Sequence, residues 1–283
     1  MADNDEPQGQ KSAEVGGDEG QKNKRKAEKQ TPEPKSPNKN NQKRRKITEE
    51  DNYDDELGIN LSVGEMSSQL LVDYLAQRSK KFKPKLTMAE MADQYIPQEA
   101  IIDTSSWARQ RATKNLQFFL KEFAGKGLSY APEDKGSPHT LVIAGAALRA
   151  TDLTRLLRGL QSEDAKVGKL FAKHIKLGEA KEFCEKNRYA PFLNLELPGL
   201  HSISMSLGVG TPKRISDLLD EGALSSKHLK RIIIDASHVN QKRQGILDMR
   251  ETHLPLVQLL SRSEFRKRYE SSDKDDRLKL LFY

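Results

Sequence analysis

The sequence predicts an α/β domain built on one mostly parallel β-sheet with helices on both faces, preceded by a disordered charged tail and a helical segment. Three observations predict it. Short continuous apolar runs, Leu141–Ala144 and Ile232–Ile234 among them, lack the alternation of a half-exposed strand and read as strands buried on both faces. Such runs alternate with apolar residues at helical spacing through the second half of the chain, as parallel strands joined by right-handed crossovers require. The start of the chain, by contrast, is charged and almost free of large apolar side chains.

Residues 1–56 consist mainly of Gln, Asn, Glu, Lys, Gly and Pro and cannot bury enough surface to offset chain entropy, so this segment is expected to be disordered. It carries two basic clusters, Lys22, Lys24, Arg25 and Lys26, then Lys43, Arg44, Arg45 and Lys46, separated by the proline-bearing stretch Thr31–Pro37. That arrangement resembles a bipartite nuclear import signal; the competing reading is a solvated charge run. An acidic run, Glu49–Glu56, gives the tail a mixed sign.

Residues 57–136 read as a helical part of the core, with structure beginning near Leu61. Leu70, Leu71, Tyr74 and Leu75 predict a helix over Met66–Phe82, with Ser67 and Ser68 as caps. A second apolar stretch, Met88–Tyr95, stops at Pro97. A third helix is expected over Trp107–Phe123, burying Leu116, Phe119, Leu120 and Phe123. Trp107 and the phenylalanines are read as core rather than as a base-stacking platform, on that helical spacing.

Residues 137–283 carry the repeating units. The strands are expected at Thr140–Ala144, Val167–Phe171, Ile203–Val209, Arg231–Asp235 and Leu278–Tyr283. The helices are expected through Leu153 to Leu157, near Glu179–Glu185, at Ile215–Leu219 and around Ile246–Leu260.

Composition narrows the function classes. The 283 residues hold 31% charged side chains and a net charge of +7, which favours a polyanionic partner such as nucleic acid or acidic protein. The single cysteine, Cys184, cannot form an internal disulfide, and no Cys/His set has zinc-ligand spacing, so a reducing compartment and no metal are expected. No apolar run approaches the roughly 18 to 20 residues of a membrane-spanning helix, and Met1–Asp5 lacks the features of a signal peptide, so a soluble intracellular protein is expected.

Ligands of parallel α/β sheets sit at the carboxyl ends of the strands, so the residues just after each strand are the candidate site. After the third strand comes Gly210-Thr211-Pro212-Lys213-Arg214-Ile215, and the fourth ends in Asp235-Ala236-Ser237-His238. In order, spacing and hydrophobic frame this resembles the DEAD-box helicase stretch from a Thr-Pro-Gly-Arg loop to an Asp-Glu-Ala-Asp motif. Leu141–Arg149 resembles the strand and loop carrying Pro-Thr-Arg-Glu-Leu-Ala, with Arg149 as its arginine. Lys173 and His174 fall where such helicases place a Gly-Gly pair on the RNA backbone. The resemblance implies a RecA-like lobe over 137–283.

The departures bear on chemistry. Nucleotide hydrolysis by this fold needs Gly-x-x-x-x-Gly-Lys-Ser/Thr to cradle the phosphates and ligate magnesium, and no such string is present; Gly125-Lys126-Gly127 and Gly168-Lys169-Leu170 are the nearest fragments. Ala236 replaces the glutamate that polarises water and cannot accept a proton, and His238 replaces the final aspartate. The arginine finger belongs to a second lobe that this chain lacks. No catalytic residue and no cofactor, ATP included, are therefore expected, and the lobe reads as degenerate. Arg149, Lys173, His174, Lys176, Thr211, Lys213 and Arg214 are the candidate contacts to RNA phosphates, positioning the backbone without reading sequence. Lys213 stands where helicases carry glycine; its side chain either blocks close approach of RNA or replaces that contact with charge.

Taken together, Ile96-Pro97 with Asp103-Thr104-Ser105-Ser106-Trp107, Leu148-Arg149-Ala150-Thr151-Asp152-Leu153, the basic string Lys169–Leu177, Gly208-Val209-Gly210-Thr211-Pro212 and Asp235-Ala236-Ser237-His238 resemble the U3-containing 90S pre-ribosomal complex subunit family. The resemblance covers Tyr53 to Tyr283. It implies a nucleolar, non-enzymatic factor of early small-subunit ribosome assembly, associated with pre-ribosomal RNA and small-subunit processome proteins. Two other readings stay open: an RNA-dependent ATPase with a divergent phosphate loop, and a nuclear interaction protein acting on chromatin or replication.

Overall fold

Five short runs form the expected parallel sheet, and three of them, residues 140–143, 231–234 and 279–282, are rich in β-branched residues and leucine. This computed structural model describes residues 52–124, 127–128, 130–134, 136–162, 165–171 and 204–283. The two basic tail clusters, Lys173, His174, Lys176, Cys184 and the helix expected near Glu179 lie outside the described residues. Two strands of two residues each come first, β1 (Tyr53–Asp54) and β2 (Ile59–Asn60), paired antiparallel. The main strands are β3 (Thr140–Ile143), β4 (Ala165–Leu170), β5 (Ser204–Gly210), β6 (Arg231–Ile234) and β7 (Lys279–Phe282). They lie in the order β4-β5-β3-β6-β7, every neighbouring pair parallel. Beside β7, Ile101 adds a parallel bridge to Leu280, and the Ile102 amide donates to the Leu280 carbonyl at 2.9 Å.

The period-two geometry of the strands divides the core. Leu141, Ile143, Ile232, Ile234, Leu280 and Phe282 pack with Leu71 and Leu75 of the Ser68–Phe82 helix, with Leu256 and Leu260 of the Arg250–Leu260 helix and with Phe265. Val142, Ile233 and Leu281 join the other cluster, with Phe119 and Leu120 of the Leu116–Phe123 helix and Leu153 and Leu157 of the Ala147–Leu157 helix. On β5 the face toward the first cluster carries Gly208, because a Cβ there would lie 2.6 Å from Leu170 Cδ1 and 2.9 Å from Leu141 Cδ2. Neighbouring leucines already fill that layer.

Two expectations are corrected. The helix expected over Trp107–Phe123 is confined to Leu116–Phe123, behind a 3-10 turn at Thr113–Asn115, and residues 103–112 are irregular. Trp107 is nevertheless in the core, edge-on to Phe119 at 5.6 Å between ring centroids. Long-range bonds made by Arg111, described below, hold this segment away from a helix. Order also begins before Leu61. Gly58, at φ 63°, closes a tight turn between β1 and β2, and Arg243 lies over the Tyr53 ring at 5.3 Å.

Candidate functional site: the carboxyl end of the sheet

Asp235 follows β6 and is 3% exposed; Arg149, on the helix that follows β3, is 8% exposed. Their sequence separation is 86 residues, and the crossover geometry brings them together. Arg149 Nε donates to Asp235 Oδ2 at 2.7 Å and Nη2 donates to Oδ1 at 2.9 Å, a bidentate pair that engages both carboxylate oxygens. The third guanidinium nitrogen, Nη1, donates to Thr113 Oγ1 at 2.5 Å. Burial by itself pulls the Arg149 pKa down, but the hydrogen bond and charge of Asp235 outweigh it and the net shift is upward. Burial, and then the Arg149 charge, hold His238 below the usual histidine range. Both Asp235 oxygens are thus engaged by a buried cation of the same chain.

Arg111 occupies the next position along the same end. Its Nη1 donates to the Phe282 carbonyl at 2.7 Å, and its Nη2 donates to the Gly64 and Thr104 carbonyls, both at 2.8 Å. The guanidinium also lies over Phe119 at 5.3 Å. Burial brings its pKa down to about 10. A Cβ on Gly64 would collide with the Arg111 side chain, which accounts for glycine there. Thr104 Oγ1 adds a bond to the same Phe282 carbonyl at 3.3 Å.

The topology gives residues 101–123 a meaning that periodicity missed. Ile101 pairs at the edge beyond β7, and the chain then loops across the strand ends into the Leu116–Phe123 helix. Strand, loop and helix in that order are where a phosphate-binding loop would lie. Residues 103–115 contain no glycine, and Trp107 and Arg111 of this loop point into the protein. The short apolar run Ala100-Ile101-Ile102 was the available signal, too brief to stand out as a strand.

β2 and the residues beside it cover the acidic motif. The Asn60 amide donates to the Ser237 carbonyl at 2.7 Å, the Val239 amide to the Gly58 carbonyl at 2.9 Å, and Ile59 forms an antiparallel bridge with His238. From below, the Tyr283 carbonyl accepts the amides of Ala236 and Ser237 at 2.7 and 2.8 Å, while the Tyr283 hydroxyl donates to the Ala112 carbonyl at 2.7 Å. Burial and the Asp235 charge push the Tyr283 phenol upward. The chain's own backbone thus takes up the amides and carbonyls that follow Asp235, whereas Ser237 Oγ and His238 Nδ1 are buried with no hydrogen-bond partner among the described residues.

Of the described candidates for RNA contact, Lys213 is well exposed and bonds Asp217 at 3.0 Å, one turn along the Pro212–Asp220 helix. Thr211 is half-buried at the N-cap of that helix, with no side-chain capping bond. Arg149 and Arg214 are buried. Among the described residues, no group of three or more His, Cys, Asp or Glu is placed to hold a metal ion.

Comparison with known proteins gives a consistent affiliation. A family model described as U3-containing 90S pre-ribosomal complex subunit matches residues 7–283. Protein CMS1 of Chaetomium thermophilum is 42% identical over 250 residues, spanning 87% of this chain and 92% of that protein. Protein CMSS1 of Homo sapiens is 32% identical over 150 residues, which is 52% of this chain and 48% of the human protein. A DEAD box protein from the hyperthermophile Methanococcus jannaschii aligns with 62% of this chain and 37% of its own, at 18% identity and a TM-score of 0.35. At that TM-score the likeness adds nothing to the strand order described above.

Proposed function

The chain belongs to the U3-containing 90S pre-ribosomal complex subunit family, and we propose that within such a complex it acts as a non-catalytic assembly factor. On this reading a degenerate helicase-type lobe contacts pre-ribosomal RNA or neighbouring assembly proteins in the nucleolus and does not turn over ATP. The carrying observation is the filled strand end: Asp235 is bonded bidentately to Arg149, and Arg111 caps the Phe282 carbonyl under a glycine-free loop. Exposed Lys213, half-exposed Thr211 and, outside the described residues, Lys173, His174 and Lys176 supply contacts to phosphates. Arg149 and Arg214 act from inside, by holding the surrounding loops in place.

Purified full-length protein, titrated with magnesium-ATP with and without RNA, tests the reading. No saturable nucleotide binding and no RNA-stimulated phosphate release are expected, and the tagged protein is expected to co-purify with U3-containing particles. Turnover of ATP would overturn the reading in favour of a divergent ATPase. A signal spread over chromatin and indifferent to arrest of ribosomal transcription would favour the chromatin alternative.

A further inference from the structure

At the opposite end of the sheet, Arg231 opens β6 and Lys279 opens β7, and the parallel register sets them directly across from one another. They lie two residues before Ile233 and Leu281, so the apolar row of that sheet face ends in two adjacent cations. Like charges directly opposite on neighbouring strands are destabilising, and both side chains are half-buried. Around them, Lys230, Lys274 and Arg277 line the same cavity of about 200 Å³, whose apolar wall is Ile102, Phe123 and Leu281. Among the described residues, five basic side chains thus share the cavity with one carboxylate, Asp275.

Among the described residues none of the five is ion-paired. Lys279 donates to the Glu99 backbone carbonyl at 2.8 Å, Arg277 to the Ser271 carbonyl at 2.9 Å, and Arg231 reaches Thr140 Oγ1 only at 3.5 Å. Elsewhere several arginines do find carboxylates: Arg78 meets Asp248, Arg262 meets Asp220 and Glu264, and Arg268 meets Asp276; buried Arg111 is held by backbone carbonyls instead. Burial, and then the Arg277 charge, lower the Lys279 pKa, and burial lowers that of Arg231. Here half-buried Arg231, Arg277 and Lys279 make no ion pair among the described residues, although the Glu99 charge acts on Lys279 against the other two influences.

We infer that the cavity at the amino ends of β6 and β7, held by Lys230, Arg231, Lys274, Arg277 and Lys279, binds the phosphate backbone of RNA. Planar guanidinium groups suit two oxygens of one phosphate, and flanking ammonium groups suit the next phosphate along a strand. The apolar wall beside Phe123 offers a surface for the attached nucleoside. The inference rests on the reading that this chain works on an RNA-containing particle. It adds a second contact, at the end of the sheet away from the helicase-type motifs.

The test uses the full chain and a short single-stranded RNA titrated at several salt concentrations, with polyglutamate as a second polyanion. Lys230 and Lys274 are exposed, so the pair Lys230→Glu, Lys274→Glu is expected to leave the fold intact. RNA affinity is expected to fall about tenfold or more, and the salt slope by about 1.4, at ~0.7 per single-strand phosphate contact. Lys81→Glu, exposed on the Ser68–Phe82 helix and outside the cavity, is expected to retain both the affinity and the salt slope. If the reversed pair unfolds, Lys230→Gln with Lys274→Gln carries the same comparison. Unchanged RNA affinity and slope would overturn the inference, as would loss of polyglutamate binding alone, which would make the cavity a site for acidic protein. ATP turnover, which would sink the non-catalytic reading, is a separate measurement and leaves this one standing.

Discussion

At the carboxyl end of β6, Asp235 and Arg149 satisfy each other and Arg111 is held by three backbone carbonyls; at its amino end, Arg231 faces Lys279 with no carboxylate among the described residues bonded to either. Parallel α/β sheets ordinarily keep the first end open for ligand. Here the polarity is reversed: the habitual site is closed by the protein's own groups, and uncompensated charge has moved to the other end. The difference teaches that topology says where a site can be, whereas bonding partners say whether it is still available.

The largest expected effect breaks the closed end. Asp235→Ala leaves Arg149 buried without its counter-ion and should cost about 3–5 kcal/mol in urea unfolding, while Arg149→Met with Asp235→Leu should recover most of it. Recovery by an apolar pair would show that the two charges act on structure. Next is Arg111→Met, which forfeits the bonds to Phe282, Gly64 and Thr104; a loss of about 2–3 kcal/mol is expected in the same assay.

Acid sharpens the comparison from the open end. His139 precedes β3 and is 4% exposed, and burial, followed by the Arg231 charge, holds its pKa at about 4. The unfolded chain binds that proton near the ordinary histidine value, so it takes up more protons than the folded protein between about pH 6.5 and 4. Stability therefore falls as the pH drops through that window, by on the order of 2 kcal/mol between pH 7 and 5, read from thermal or urea midpoints. His253, also held at about 4, adds to the same trend.

The smallest expected effect is the most discriminating. Arg231→Gln relieves the like-charge pair and should stabilise the protein by about 0.5–1 kcal/mol while weakening RNA binding. Loss of stability would instead mean that the guanidinium is needed for packing.

Much of the sheet was legible in the sequence, because β3, β6 and β7 are continuous apolar runs whose ends fall within a residue of those expected. The helix over residues 68–82 was legible for a similar reason, and its start is set by Ser67, whose side chain accepts the Leu70 amide. The loop at 103–112 was not, since its path is set by carbonyls of Gly64 and Phe282, 47 and 171 residues from Arg111. Arg149 and Asp235 were each singled out, yet their pairing depends on a crossover that brings distant residues together. The basic cavity escaped notice because Lys230, Arg231 and the 274–279 segment each resemble an ordinary solvated charge. Only the β6–β7 register sets Arg231 across from Lys279.

That register has a practical consequence for handling the protein. Most proteins stabilised by surface ion pairs lose something as ionic strength rises, but counter-ions here screen a repulsion that folding creates. Concentrated sodium chloride should strip bound polyanion during purification, and low-salt buffers leave the Arg231–Lys279 repulsion unscreened.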